Sequence, residues 1–447
     1  MSDGKITSSR LMENLGLLAF MGNPNGIDWK PTDEIKNVSH RVTELPASGW
    51  VELYSPISKP NKLHNAIDYN NIKKTGIVIW KCEIDGAENM NSSSNVVSED
   101  IVYTSTSSGM IYALDAKKGE PIWNKKIGEK IVNHDVAKKL VIIGTDNGVC
   151  AINKDKGDVR WYQYIGETYS KPVIVNDLVI TSCSNGNLCA LDIESGEIEW
   201  NFKLPYSGMI SEGNHDNICI VSDNRCYCFN IKIRDINWKF ETSGKISAPP
   251  RVEGNCVYLG SWDGNVYAID PYSGDIKWTF KTGWGIDTTP VVSDGKVFVG
   301  SNDNNFYALD ENNGDLVWFF TCKSAIHSSP AVYGEYVFFG SDDGRLYALN
   351  KMNGDLAWSF APEYFIKDGD VNNYVTTPIL SDPFIKDGVV YFSVKNNLYA
   401  MDAQTFELET IKPEEKTPIF GYELFALIIC FVSIIVAILL TINKKKK

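Results

Sequence analysis

Apolar positions in this chain fall into short runs of β-branched and aromatic residues, cut by glycine, asparagine and aspartate, and the stretch from Cys256 to Trp278 (CVYLGSWDGNVYAIDPYSGDIKW) shows the unit most clearly. Val257, Tyr258 and Leu259 lead to Gly260-Ser261. Asp263-Gly264 then offers the positive φ angles of a tight hairpin before Val266-Tyr267-Ala268-Ile269-Asp270. Ser273-Gly274 makes a second reversal, and Ile276 to Phe280 alternates as a further strand. A short strand opened by a proline precedes each unit, at Lys171-Pro172, Ala248-Pro249, Thr289-Pro290, Ser329-Pro330 and Thr377-Pro378. One unit therefore predicts a four-stranded antiparallel sheet.

The unit repeats. Trp80, Trp123, Trp161, Trp200, Trp238, Trp278, Trp318 and Trp358 are spaced by 43, 38, 39, 38, 40, 40 and 40 residues. Four positions earlier stands Gly76, Gly119, Gly157, Gly196, Gly274, Gly314 or Gly354, and before that a triplet such as Ala113-Leu114-Asp115 or Ala348-Leu349-Asn350. Arg234 replaces the glycine before Trp238, and its repeat lacks the Asp-Gly turn, so a distorted sheet is expected there. The last repeat carries Thr376-Thr377-Pro378, Val389 to Phe392 and Leu398 to Asp402, but Thr410 stands where tryptophan should. Residues 77–84, with Trp80, have a strand and no sheet. Joining the two gives seven complete repeats and one composite repeat, which closes a ring and removes free sheet edges.

The A-x-[DN]-x-x-x-G-x-x-x-W pattern at a period near forty resembles the tryptophan-docking repeat of pyrroloquinoline-quinone (PQQ) type β-propellers. That superfamily includes quinoprotein alcohol dehydrogenases and the outer-membrane assembly scaffold BamB. The resemblance implies an all-β fold, an eight-bladed β-propeller of four-stranded antiparallel blades closed by strand 77–84. It implies little about activity, because repeat residues build blades.

The expected organisation is an N-terminal extension (1–48), the propeller (49–410), a linker (411–420), a transmembrane helix (421–443) and a basic tail (444–447). Leu424 to Ile442 is free of charge and long enough to cross a hydrocarbon core of about 30 Å. The four lysines after it favour a single-pass C-terminal anchor with an extracytoplasmic propeller. The unconvincing N-terminal signal keeps a cytosolic, tail-anchored ring as the alternative; its apolar run, Leu15 to Met21, is short. The sequons at Asn37 and Asn91 do not decide between them. A formal charge of −13 leaves no basic footprint for nucleic acid. Cys150, Cys189, Cys226, Cys228 and Cys256 occupy strand positions and read as small buried hydrophobes rather than a disulfide framework.

The chemistry is sparse. Asp146-Asn147-Gly148, Asp263-Gly264-Asn265, Asp303-Asn304-Asn305 and Asp342-Asp343-Gly344 run straight into strands, as turns do, and lack the ligand spacing of a calcium loop. The resemblance to quinoproteins asks for an adjacent Cys-Cys pair, but the nearest approach is Cys226-x-Cys228, and no C-x-x-C-H haem motif is present. No residue is assigned as catalytic, cofactor-binding or metal-ligating, and no cofactor is expected. His327 falls just before an innermost strand, with Asp287 and Asn373 in comparable places, where family propellers open one mouth of their channel. The expected function is a non-catalytic, membrane-anchored scaffold binding a protein or cell-surface polymer, with the membrane engaged through Leu424–Ile442. A quinone-dependent oxidoreductase with a degenerate site and a ligand-sensing ectodomain stand as alternatives.

Overall fold

The computed structural model describes residues 72–84, 95–204, 207–212, 216–362, 365–368, 371–374 and 377–410. The expected extension, linker, membrane helix and basic tail, and both sequons, lie outside them. Among the described residues no helix is long and apolar enough to cross a membrane.

Eight four-stranded antiparallel sheets make up the ring. Blades 1 to 7 span 95–126, 131–164, 173–203, 209–241, 251–281, 291–321 and 331–360 in chain order. Blade 8 is composite. Its strands β32 (Phe384–Lys386), β33 (Val389–Val394) and β34 (Asn397–Thr410) receive β1 (Ile72–Glu83) as the outermost member. Pairs Trp80↔Ala400 and Lys81↔Tyr399 realise the expected joint, and Ile72↔Thr410 to Gly76↔Phe406 extend it beyond the expected 77–84. The first strand of each blade is innermost: β32 touches both the first strand of blade 1 (Asn95–Ser98) and that of blade 7 (Ala331–Tyr333).

Each letter of the repeated motif has a physical task. The tryptophan lies on the fourth strand, directly opposite the motif's small residue, as in Ala113↔Trp123, Ala190↔Trp200 and Ala348↔Trp358. The small side chain leaves room for the indole. A register shift follows at once, between Ala113 and Leu114 for example, and starts the turn. The aspartate or asparagine closes that turn: Asp115 Oδ1 accepts from the amides of Lys117 and Lys118 at 2.9 Å, and its carbonyl accepts from Gly119 N at 2.8 Å. The glycine has φ +71°, and a Cβ there would lie 2.6 Å from the Trp80 ring of the preceding blade. The docked indole donates to the carbonyl next to the turn aspartate: Trp80 Nε1 to Ala116 O at 2.9 Å, Trp161 to Ile193 O at 2.9 Å, Trp238 to Pro271 O at 2.8 Å. Each blade thus reads the next, and the apolar clusters lie between sheets. One joins Trp200 with Phe229 and Ile231 of the following blade.

Three expectations need correction. Blade 4 is regular: Arg234 adopts the left-handed conformation itself (φ 59°), keeps the turn hydrogen bond to Asn230 O at 2.8 Å, and sets its guanidinium 5.8 Å from the Trp200 ring centroid. Cation–π attraction offsets the backbone strain that glycine would have avoided. The insertion after blade 7, whose polar, glycine-containing sequence from Ala361 to Val375 predicts a loop on one rim, holds a two-stranded hairpin, Phe365–Asp368 with Val371–Tyr374. The innermost strand of blade 8 is introduced by Asp382-Pro383 and not by Thr377-Pro378. Ile379 N donates to Ser341 O as Ile326 N does to Ser301 O and Ile286 N to Ser261 O. The residue in register with Asp287 and His327 is therefore Leu380, and Asn373 lies in the inserted hairpin.

Candidate partner-binding face

Antiparallel order puts the turns between second and third strands on the same face as the linkers that leave each fourth strand. The linkers are held by both neighbours. In linker 282–290, Thr282 N donates to Gly264 O of blade 5 at 2.8 Å, while Gly283 N donates to the Asp303 carboxylate of blade 6 at 2.7 Å. Asp263, Asp303 and Asp343 repeat this arrangement. Asp303 Oδ1 accepts from Asn305 N at 2.9 Å and its Oδ2 accepts the Tyr307 hydroxyl at 2.6 Å; Asp343 accepts the Tyr347 hydroxyl at 2.6 Å. Their carboxylates are consumed by structure, as the turn reading expects. Burial and the adjoining Asp263 push the Tyr267 phenol up to about 12.

Two indoles stand out of this face. Trp262, in the second turn of blade 5, is 49% exposed, and Trp284, in the linker that follows, is 66% exposed. The linker backbone next to Trp284 passes beside Trp262: a Cβ on Gly285 would lie 3.2 Å from Trp262 Cα and 3.5 Å from its ring. Tyr169 is likewise exposed, at the linker position equivalent to Asp287. Trp262 takes the place that Asn302 and Asp342 hold in the next two blades. Sequence reasoning missed it because Asp263-Gly264 drew attention to the turn and not to the residue ahead of it.

At the inner rim the structure brings Asp287 to His327, with Asp342 rather than Asn373 as the second neighbour. His327 Nδ1 lies 2.8 Å from Asp287 Oδ2 and its Nε2 lies 3.3 Å from Asp342 Oδ2. The hydrogen bond to Asp287 raises the imidazole pKa above its usual value, and burial raises that of Asp342. Around the axis a relay links four blades: Thr289 Oγ1 donates to Pro249 O at 2.9 Å, Thr289 N to Ser329 Oγ at 3.1 Å, and Ser329 N to Asp382 Oδ1 at 2.6 Å. Asp382 is reached by solvent yet enclosed by protein, and that enclosure pushes its carboxyl up to about 6.

The rest of the reactive inventory is structural. His134 is fully buried, with Nδ1 3.1 Å from Ser105 Oγ and Nε2 3.2 Å from Tyr103 O, and burial lowers its pKa to about 4. Cys150, Cys183, Cys189, Cys219, Cys226, Cys228, Cys256 and Cys322 are buried and form no disulfide. Desolvation pushes the Cys150 and Cys228 thiols up to about 12. Among the described residues no group of three or more His, Cys, Asp or Glu side chains could hold a metal ion.

Residues 66–280 and 263–364 match the family profile described as outer membrane protein assembly factor BamB. Among curated relatives, the chain is 30% identical over 159 residues to BamB of Moranella endobia, covering 31% of this chain and 40% of that one. It is 30% identical over 148 residues to BamB of Yersinia pestis, covering 29% and 37%. The quinoprotein alcohol dehydrogenase PedH of Pseudomonas putida is 30% identical over 171 residues, 33% of this chain and 27% of PedH. These alignments span about two fifths or less of each relative's length. Among solved structures, BamB from Moraxella catarrhalis superposes with a TM-score of 0.59 at 16% identity, over 73% of this chain and 97% of that one. The computationally designed Ika8 protein does so with 0.63 at 15%, over 73% and 100%. At such identities the likeness is one of fold.

Proposed function

The chain belongs to the family of the outer membrane protein assembly factor BamB, and on that premise we propose that it is a non-catalytic scaffold that binds a protein partner through its linker face. The observation that carries this reading is the two exposed indoles, Trp262 in the second turn of blade 5 and Trp284 in the linker beside it, on a rim where Asp263 and Asp303 are committed to turns. Large aromatic side chains fixed on a rigid frame supply contact area at little entropic cost, and tryptophan is enriched among residues that dominate binding energy. We further propose that Leu424–Ile442 anchors the ring to a membrane with the propeller on the extracytoplasmic side, as its hydropathy and closing lysines suggest.

Site-specific photo-crosslinking in cells tests the scaffold reading. A photoreactive residue at position 262 or 284 should give a discrete adduct, whereas one at Tyr272, on a turn of the opposite face, should not. Equal adducts from both faces, or none from either indole position, would remove the support for this face. The PedH similarity keeps an oxidoreductase as the second reading. PQQ and calcium added to the purified chain, followed by dye-linked alcohol oxidation, should give no turnover; sustained turnover would replace the scaffold with an enzyme.

A further inference from the structure

We propose that Asp287, His327 and Asp342 form a proton-operated latch that ties blade 6 to blade 7 at the channel mouth, closed when the cluster holds one extra proton and released when it loses it. Asp287 lies in the linker that enters blade 6, His327 in the linker that enters blade 7, and Asp342 sits in the second turn of blade 7. The argument is one of donors and acceptors. A neutral imidazole has a single N–H, yet both ring nitrogens face carboxylate oxygens, at 2.8 and 3.3 Å. Both contacts are satisfied only if the ring is imidazolium or if one of the two aspartates carries the proton.

The surroundings sharpen the dependence. The other oxygens, Asp287 Oδ1 and Asp342 Oδ1, are shielded from solvent and have no hydrogen-bond partner among the described residues. Taking the proton away would leave two carboxylates facing a ring that can answer only one of them. The charged groups acting on the cluster are Asp287, Asp342 and Asp343, whose own Oδ2 accepts from Lys323 N at 3.3 Å. Among the described residues, His327 is the positive group in these two contacts. The raised imidazole pKa agrees in sign: the latch contributes fully below the unfolded-state value near 6.5 and is lost as pH rises through the higher folded-state value. The inference stands whether or not the linker face binds a protein, since it concerns the two linkers alone.

The test uses the full chain in detergent micelles with isotope-labelled histidine, the His327 resonance being assigned by its loss in H327Q. Its titration midpoint should lie above 6.5, and should fall in D287N. Hydrogen exchange of amides 282–290 should lose about tenfold of its protection, beyond the intrinsic pH effect, for each pH unit between about 6.5 and that midpoint, and level off above it. In D342N the asparagine amide can donate to a neutral ring, so protection should persist at high pH. A midpoint at or below 6.5, exchange in H327Q identical to wild type at every pH, or loss of protection in D342N at the wild-type midpoint would each overturn the latch.

Discussion

At the scale of single residues, most of the motif was legible because each position answers a local geometric demand. Glycine, aspartate or asparagine, and the small residue opposite the indole are required by φ, by turn amides and by ring volume respectively, and these demands recur together in six of the eight blades, at Gly119, Gly157, Gly196, Gly274, Gly314 and Gly354. Arg234 was misjudged because sequence shows the lost glycine but not the nearby Trp200 face that compensates it. Trp358 makes the complementary point. It is fully buried beside Gly76, yet its Nε1 has no acceptor among the described residues, because the third and fourth strands of the composite blade 8 are not joined by a turn. Replacing Trp278 by Phe removes a 2.9 Å bond to Glu311 O, whereas W358F removes only an orphan donor. W358F should therefore cost about 1–2 kcal/mol less than W278F in urea unfolding. His134 gives a pH prediction. Above pH 6.5 both folded and unfolded chains keep it neutral. Below that, the unfolded chain takes the proton first, so stability falls until about pH 4, by on the order of 3 kcal/mol in all. H134N should flatten that part of the stability profile relative to wild type, as read by chemical denaturation at several pH values.

At the scale of elements, the joint is the decisive strand pairing. Residues 77–84 were recognisable because a lone tryptophan strand and a repeat without one complement each other; the further pairs Ile72↔Thr410 to Gly76↔Phe406 were not, since Ile72 to Thr75 carries no motif. Trp80 tests this element: W80A should cost about 3–5 kcal/mol, through the lost ring and the empty seat against Gly119, and should expose the edge of β34. Thermal unfolding with light scattering would register both the lower midpoint and the association of opened rings. The last blade was misaligned because Thr377-Pro378 imitates the usual strand opening. Spacing would have corrected it: Pro290, Pro330 and Pro383 each stand ten residues before Gly300, Gly340 and Ser393, the matching positions of the second strand. The Asp-Tyr clasps at 263/267, 303/307 and 343/347 were also present in the text as an i, i+4 spacing within strand and turn. Nothing in a strand reading calls for such a pair, so only the coordinates expose its hold on the preceding linker.

At the scale of the whole molecule, fold and candidate face differ in legibility for one reason. The fold rests on what is repeated, while the face rests on departures from the repeat: Trp262 and Trp284 in place of polar residues, and His327 in a register otherwise held by Tyr169, Ser247, Asp287 and Leu380. A periodic pattern averages such departures away. The paired ends of the ring carry a mechanical consequence. Because Ile72 and Thr410 lie opposite one another, tension applied between them peels the pairs of blade 8 in succession instead of shearing them together. The toroid is then weakest under traction at its own clasp, and a tether attached at either end loads the seam first.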